Sequence, residues 1–449
     1  MTAYLAKYAL ATVPRYTSYP PANRFHGGVG EAEYTSWLEA IGPQDTLSLY
    51  IHIPFCHTLC WYCGCHTTVA NSNDRVLDYV EALKTEIAGV GKYVSSSARV
   101  LQVHFGGGTP NLLTPDTLLS IIDACAGQFN FDADTEIAVE ADPRSLSQDH
   151  IAVLARYARS RVSLGVQDVS ADVQKLINRI QPFDTVRRAV DQLRTAGIGG
   201  INMDLIYGLP GQSVAHVAKS ASQCAALEPD RFAVFGYAHV PWFKAHQRAI
   251  DEAQLPDGPA RMEQADTARA TLVGAGYAAI GFDHFAKPGD ALFVANQQGR
   301  LRRNFQGYTV DPASALIGFG ASSIGSFEAG YIQNEPHLGK YKAAVARGGL
   351  PVTRGAVITA AERRTREIIE RLMCDFKVDL ADLADDGQGP AETFAAALAA
   401  LEPLGEDGLV EVDGHIVRAT AGGRAYIRNI AACFDEGYGQ SEQKYSRAI

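Results

Sequence analysis

The feature that most constrains this chain is an alternation. Short apolar runs that stop on glycine or a polar residue are separated by segments with helical apolar spacing. The runs are TLSLYIHIP at 46–54, VLQVHF at 100–105, EIAVEA at 136–141, RVSLGVQ at 161–167, INMDLIYGLP at 201–210, FAVFGYAHVP at 232–241 and YAAIGFDHF at 277–285. In the first, Leu47, Leu49, Ile51 and Ile53 fall on one face, which is a strand signal. Helical spacing occupies 74–93, 184–196 and 259–275. Strands that alternate with helices build βαβ units and a mainly parallel sheet. Six to seven such units across 46–290 predict an α/β fold, a partial (β/α)6-type TIM-like barrel. Barrels of this kind carry their working residues at the C-terminal strand ends. Polar and glycine residues cluster at those ends here: HFGGGTP, VEADP, GVQD, NMDLIYGLP and YAHVP.

After about residue 350 the pattern changes. Residues 358–376 and 391–405 read as helices, and 408–434 as a hairpin with an Asp413-Gly414 turn followed by a helix. The expected organisation is an N-terminal arm or lid at 1–40, a barrel domain at 41–345, and a smaller, mainly helical, winged-helix-like domain at 346–449, with a surface linker at 385–390. Forty basic against fifty acidic side chains give a net charge of −10, which disfavours nucleic acid and anionic membrane as partners, so the winged module reads as a packing or lid element. No apolar run approaches twenty residues, so no membrane span is expected. The start, MTAYLAKYALATVPRY, lacks the apolar core of a signal peptide, so a cytoplasmic location is expected; the chain is separately expected to be a monomer.

Four of the eight cysteines crowd into Cys56, Cys60, Cys63 and Cys65, directly after the first strand. Three close thiolates can hold three irons of a cubane cluster and leave the fourth iron open to a ligand. A zinc site completed by His57 or His66, and a redox disulfide, stay open on spacing alone. The scattered Cys125, Cys224, Cys374 and Cys433 read as ordinary buried thiols.

The C-x3-C-x2-C spacing after a first barrel strand resembles the radical S-adenosylmethionine superfamily, and Gly106-Gly107-Gly108-Thr109-Pro110 resembles its glycine motif. The chain further resembles the oxygen-independent coproporphyrinogen III oxidases. The residues that carry this are Pro14-Arg15-Tyr16-Thr17-Ser18-Tyr19-Pro20, Tyr50 to Cys56, Cys63-Gly64-Cys65, Val139 to Arg144, Ser163 to Asp168, Asn178-Arg179, Met203 to Pro210, Tyr237-Ala238-His239 and Asn304 to Tyr308.

The resemblance implies a 4Fe-4S cluster on Cys56, Cys60 and Cys63, with Cys65 as a catalytic neighbour rather than a ligand. It implies two molecules of S-adenosyl-L-methionine. Tyr50, Gly107, Glu140 and Ile324 would hold the first; Tyr62, Gly108, Thr109, Gln167, Arg179, Asp204 and Ala238 would hold the second, with Phe305 and Gln306 closing over it. Family members often carry Phe at the position of Tyr62, so its hydroxyl needs a polar partner. Taken singly, Arg179 would pass for a solvated side chain, His52 for a packed core histidine, and a strand-end carboxylate such as Glu140 for a helix cap. The implied reaction is oxidative decarboxylation: a 5′-deoxyadenosyl radical removes a hydrogen from a propionate, which loses carbon dioxide and an electron to leave a vinyl group. Two propionates of coproporphyrinogen III react, giving protoporphyrinogen IX, with an unidentified electron donor, in low-oxygen cytoplasm. Arg15, Arg300, Arg302 and Arg303 are candidates for binding the carboxylates. The rival readings are a haem-binding chaperone that shares barrel and motif, whose members lack Cys65 and the PRYTSYP arm, and a zinc-dependent regulator built on the C-terminal module.

Overall fold

The computed structural model describes residues 2–384, 389–439 and 445–448; of the expected linker, 385–388 lie outside the described residues. Six strands stand side by side in parallel: β1 Thr46–Ile53, β2 Arg99–Gly107, β3 Glu136–Ala141, β4 Ser160–Gln167, β5 Gly200–Tyr207 and β6 Arg231–Gly236. The helices between them include α1 Asn73–Gly91, α2 Pro115–Ala126, α3 Gln148–Leu154, α4 Phe183–Thr195 and α5 Val214–Ala225, with α6 Gly258–Gly274 after β6. Their starts are encoded locally. The hydroxyls of Ser72, Thr114, Ser147 and Ser213 and the carboxylate of Asp257 each accept a first-turn backbone N–H, stabilising each helix by about 1 kcal/mol.

The run at 277–285 forms a hairpin instead of a seventh parallel strand. Ala278–Ile280 (β7) and His284–Ala286 (β8) pair antiparallel, and β8 pairs antiparallel with β6. Gly281 sits at φ +55, a left-handed conformation that favours glycine and reverses the chain. The hairpin Arg302–Asn304 (β9) and Gly307–Thr309 (β10) follows. Next, β11 Ala315–Phe319 returns to pair parallel with β1, and β12 Ile324–Ser326, β13 Gly330–Asn334 and β14 Val352–Val357 extend the sheet antiparallel. The order is β14-β13-β12-β11-β1-β2-β3-β4-β5-β6-β8-β7, a barrel left open between its end strands.

Strand alternation explains the packing. Leu47, Leu49, Ile51 and Ile53 are at most 1% exposed and share a core with Val76, Val80, Leu83 and Ile87 of α1. Burying each such side chain contributes about 1.5–3 kcal/mol. The opposite faces carry polar residues. Gln102, His104, Glu140, Ser163, Asn202 and Asp204 line one internal cavity of about 670 Å³. The lumen is therefore a polar hollow, whereas apolar layers fill an ordinary TIM barrel.

The C-terminal module holds α7 Ala360–Asp375, β15 Lys377–Asp379, α8 Ala395–Glu406, β16 Val410–Asp413, β17 Ile416–Ala419 and α9 Ile427–Ala432. A capping box of Thr359 and Glu362 starts α7, and Gly414 at φ +60 makes the tight turn between β16 and β17. The helix expected over 391–405 breaks at Phe394, whose ring packs against Phe434 at 6.4 Å. Val13, Tyr16 and Tyr19 of the N-terminal arm share a core with Leu372, Leu401, Val417 and Ile430 of this module. Cys125, Cys224 and Cys374 are buried; Cys433 is only half-buried because it sits at the end of α9. Among the described residues, no helix is long and apolar enough to cross a membrane.

Candidate active site

The cysteine loop leaves β1 at its C-terminal end and returns through a small parallel ladder in which Phe55 faces Thr68 and Cys56 faces Val69. Side chains from distant elements grip its backbone. Asn178 Nδ2 donates to the Leu59 carbonyl at 3.0 Å, Gln247 Nε2 to Tyr62 at 3.0 Å and Lys244 Nζ to Cys65 at 2.9 Å. His246 Nε2 meets the Cys63 carbonyl at 2.7 Å. A loop held from several sides loses little entropy when it binds a rigid group.

All four thiols of the loop line one cavity of about 1140 Å³ at the strand ends. Each of the three expected ligands meets a hydrogen-bonding partner. Cys56 Sγ lies 3.1 Å from Thr67 Oγ1 and accepts from Thr109 Oγ1 at 3.4 Å; Cys60 Sγ accepts from Arg179 Nη1 at 3.6 Å; Cys63 Sγ accepts from the Cys65 N–H at 3.4 Å. A hydrogen bond with Cys65 outweighs burial, and with Lys244 and Arg179 it pulls the Cys63 thiol down to about 7. Such donors favour thiolate, the form that binds metal. Among the described residues, no three His, Cys, Asp or Glu side chains converge on a point fit for one ion. Thiolates that each bind a separate iron of a cubane need no such point.

Arg179 is the least foreseeable member. It follows Asn178, whose left-handed φ of +53 ends the short helix at 171–176 and turns the next side chain inward. Arg179 is 7% exposed, pairs with Asp142 at 3.3 Å and donates to the Gly165 carbonyl at 2.6 Å. Its buried Nε has no partner, and the residue lines the cavity wall as a cation. Asp142 also binds Arg144 at 2.6 Å.

The strand-end carboxylates take different states. Glu140 accepts from His104 Nε2 at 3.1 Å and from the Gly107 N–H at 3.2 Å; burial raises its pKa, but these donors outweigh it and hold it below the usual range. Asp204 accepts from Ser163 at 2.9 Å and Asn202 at 2.8 Å, yet burial and the charge of Glu140 push it up to about 6. Gln167 sits at φ +69, a strained conformation for a residue with a side chain, at the end of β4 on the cavity wall. A Cβ on Gly107 would lie 2.5 Å from the His52 ring, and one on Gly108 would lie 2.5 Å from the Phe55 carbonyl. Both glycines therefore let β2 press against the base of the cysteine loop.

Tyr62, Gly107, Gly108, Thr109, Glu140, Gln167, Arg179, Asp204, Ala238 and Phe305 line the cavity with the thiols. Three candidates stand off. Tyr50 stacks on His104 at 5.9 Å and reaches His52 Nδ1 at 3.0 Å. Gln306 opens onto two neighbouring cavities, and Ile324, like Phe305, packs against the cluster of Phe25, Tyr331 and Ile358. The Tyr62 ring packs on Val173, Ile177 and Leu209 with its phenol in the field of Arg179. His52 is buried and burial holds it neutral, down to about 4. Of the arginine candidates, Arg300 is exposed beside Gln298 and Arg302 pairs with Glu370 of α7 at 3.1 Å; both lie away from the cavities, while Arg15 and Arg303 line them. Sequence reasoning missed Asp142, Arg144, His104, Lys244 and the exposed Trp242 and Phe243 at the rim.

Comparison with known proteins agrees with this geometry. Residues 50–224 match the Radical SAM superfamily, and residues 358–426 match the HemN C-terminal domain. The chain is 43% identical over its whole length, and the whole of the relative, to the oxygen-independent coproporphyrinogen III oxidase of Bradyrhizobium diazoefficiens. It is 39% identical to that of Escherichia coli K12, covering 97% of this chain and 96% of the relative. The solved structure of coproporphyrinogen III oxidase (HemN) from Escherichia coli, described as a radical SAM enzyme, superimposes with a TM-score of 0.89 at 38% identity, covering 94% of this chain and 97% of that one.

Proposed function

The chain belongs to the oxygen-independent coproporphyrinogen III oxidases of the radical SAM superfamily, and from that premise we propose that it decarboxylates two propionates of coproporphyrinogen III to vinyl groups, giving protoporphyrinogen IX in anaerobic haem biosynthesis. The carrying observation is that Cys56, Cys60 and Cys63 open with Arg179, Glu140 and Asp204 onto one cavity at the strand ends.

The residues present suit the groups that membership implies. Cys56, Cys60 and Cys63 would hold a 4Fe-4S cluster, and the cationic Arg179 on the cavity wall suits a carboxylate of S-adenosylmethionine. When bound there, the cluster and cofactor would supply the radical chemistry needed to remove a propionate hydrogen. The chain's own part is positional. Glu140, fixed by His104 and the Gly107 N–H, offers an anion to an ammonium or hydroxyl; ionised Asp204 offers a second. Two bound S-adenosylmethionines, with Phe305 and Gln306 over the second, remain part of this proposal, as do the domain limits at 40 and 345, a monomeric state, cytoplasmic location and a separate electron donor. Pro14, Arg15, Tyr16 and Thr17 line the cavity, which supports the arm as its lid.

Anaerobic incubation with coproporphyrinogen III, S-adenosylmethionine and a reductant tests the proposal. The expected product is protoporphyrinogen IX; tight haem binding without turnover would favour the chaperone reading. Two further outcomes are expected. Cys65→Ala retains full iron while turnover falls about 100-fold, the scale of positioning losses; iron loss there would make Cys65 a ligand. As pH drops below about 6, Asp204 gains a proton and loses its negative charge, so kcat/KM for S-adenosylmethionine falls about tenfold per pH unit. Asp204→Asn flattens that limb; an unchanged limb assigns it elsewhere.

A further inference from the structure

Beside the reaction cavity lies a second chamber of about 700 Å³. Arg15, Phe235, Tyr237, Trp242 and Phe305 line both, so the two spaces share a wall and a mouth. Five arginines from five parts of the chain line the second chamber: Arg15 of the arm, Arg261 of α6, Arg303 of β9, Arg428 of α9 and Arg447 near the C-terminus.

Two of them, Arg303 and Arg261, keep buried donors without a partner. The Arg303 side chain is 7% exposed and rests over the rings of Tyr308 at 4.7 Å and Phe282 at 5.2 Å. Its Nε and Nη1 have no hydrogen-bond partner. The nearest carboxylate, Asp283, stands 4.0 Å from Nη1 and is already bound to His284 at 2.6 Å. Arg261 donates from Nη2 to the Tyr237 carbonyl at 2.8 Å, but its buried Nε has no partner. Arg15 makes a long contact of 3.4 Å with the Gly236 carbonyl. Arg428 is satisfied, donating to the carbonyls of Val13 at 3.4 Å, Arg447 at 2.6 Å and Ala448 at 2.5 Å. The other acids lining the chamber are engaged: Glu252 meets His239 at 3.0 Å, and Asp257 caps α6. Burial, with repulsion from Arg15 and Arg303, pulls Arg428 down to about 9, and burial also lowers Arg15 and Arg261. Buried guanidinium donors left unpaired cost free energy that an incoming anion recovers. A concentration of positive charge in a chain of net charge −10 is a local reversal that suits an anionic ligand.

We propose that this chamber is the subsite for the propionates that are not reacting. Arg303 and Arg15 take one carboxylate and Arg261 approaches a second, while Trp242 at the shared wall and Phe243 on the reaction-cavity side, 55% and 75% exposed, cover the ring system. The guanidinium fork fits a carboxylate. Anchoring the spectator groups here leaves one propionate to enter the reaction cavity. This rests on the proposed substrate.

The test compares Arg303→Gln, Arg15→Gln and, as an outer-surface control, Arg300→Gln. Either chamber variant is expected to raise KM for coproporphyrinogen III at least about tenfold, the loss of one charge-assisted hydrogen bond, with kcat, iron content and substrate-free cleavage of S-adenosylmethionine retained. The control leaves KM unchanged. A merely structural role would lower iron content and S-adenosylmethionine cleavage together with turnover, and that result overturns the subsite, as does an unchanged KM. A second reading needs no turnover. Fluorescence quenching should show wild type preferring oxidised coproporphyrin III to etioporphyrin, which lacks carboxylates, and Arg303→Gln losing that preference. If the wild type fails to decarboxylate, the functional proposal falls while this preference still tests the chamber. Equal displacement of coproporphyrin by citrate or phosphate would show a general anion site and overturn the assignment.

Discussion

Cys60→Ala, prepared anaerobically, is expected to carry no intact iron–sulfur cluster and to show no turnover. Three thiols are the minimum that holds three irons of a cubane, and alanine leaves one iron without a protein ligand. Cys60 is also the thiol that Arg179 touches, at 3.6 Å. Its loss leaves a nearly buried cation facing the cavity with only Asp142 as counter-ion. The loop should nevertheless keep its course, because Asn178, Gln247, Lys244 and His246 hold its backbone carbonyls rather than its sulfurs. Iron and sulfide analysis, the visible spectrum and product assay check this. Full iron with full turnover in Cys60→Ala would remove Cys60 from the ligand set.

The second large effect is expected at Asp435, far from the chemistry. Its side chain is fully buried and forms a bidentate pair with Arg24 at 2.7 and 2.8 Å, while Tyr16 and Tyr19 donate to it at 3.1 and 3.2 Å. Asp435 therefore pins the PRYTSYP arm to the C-terminal module. Alanine strands the guanidinium and two buried phenols, and the cost is about 3–5 kcal/mol, the scale for breaking a buried pair by removing one partner. Asp435→Asn keeps one acceptor oxygen and the side chain's volume but loses the charge opposite Arg24, so it should cost less than alanine. Denaturant unfolding of the three proteins reads the ranking. Because the arm carries Arg15 into the cavity wall, Asp435→Ala should also raise KM for coproporphyrinogen III. Equal stability of wild type and Asp435→Ala would dismiss the latch.

Much of the site could be read from the sequence where function coincides with local pattern. The polar ends of β2 to β5 stand where alternation and strand length put them, and Glu140, Gln167 and Asp204 arrive at the cavity for that reason. Residues 277–285 misled because an apolar run is compatible with one strand or two, and only the left-handed Gly281 decides. Ile324 and Tyr50 lie beside the cavity instead of on its wall. Their neighbours Phe305 and His104 come from other segments, so no local pattern reveals the spacing.

By itself, the sequence determined the six βα units, the hydrophobic face that each turns to its helices, and the trio of thiols in one short loop. These depend on periodicity and spacing over a few residues, which the chain carries everywhere along its length. Only the tertiary structure decided that Arg179 meets Cys60 across 119 positions and that Tyr16 meets Asp435 across 419. The same holds for the five arginines that gather in one chamber. Such meetings have no signature in either local segment. They exist because the folded core, not the neighbouring sequence, sets which side chains are left facing one another.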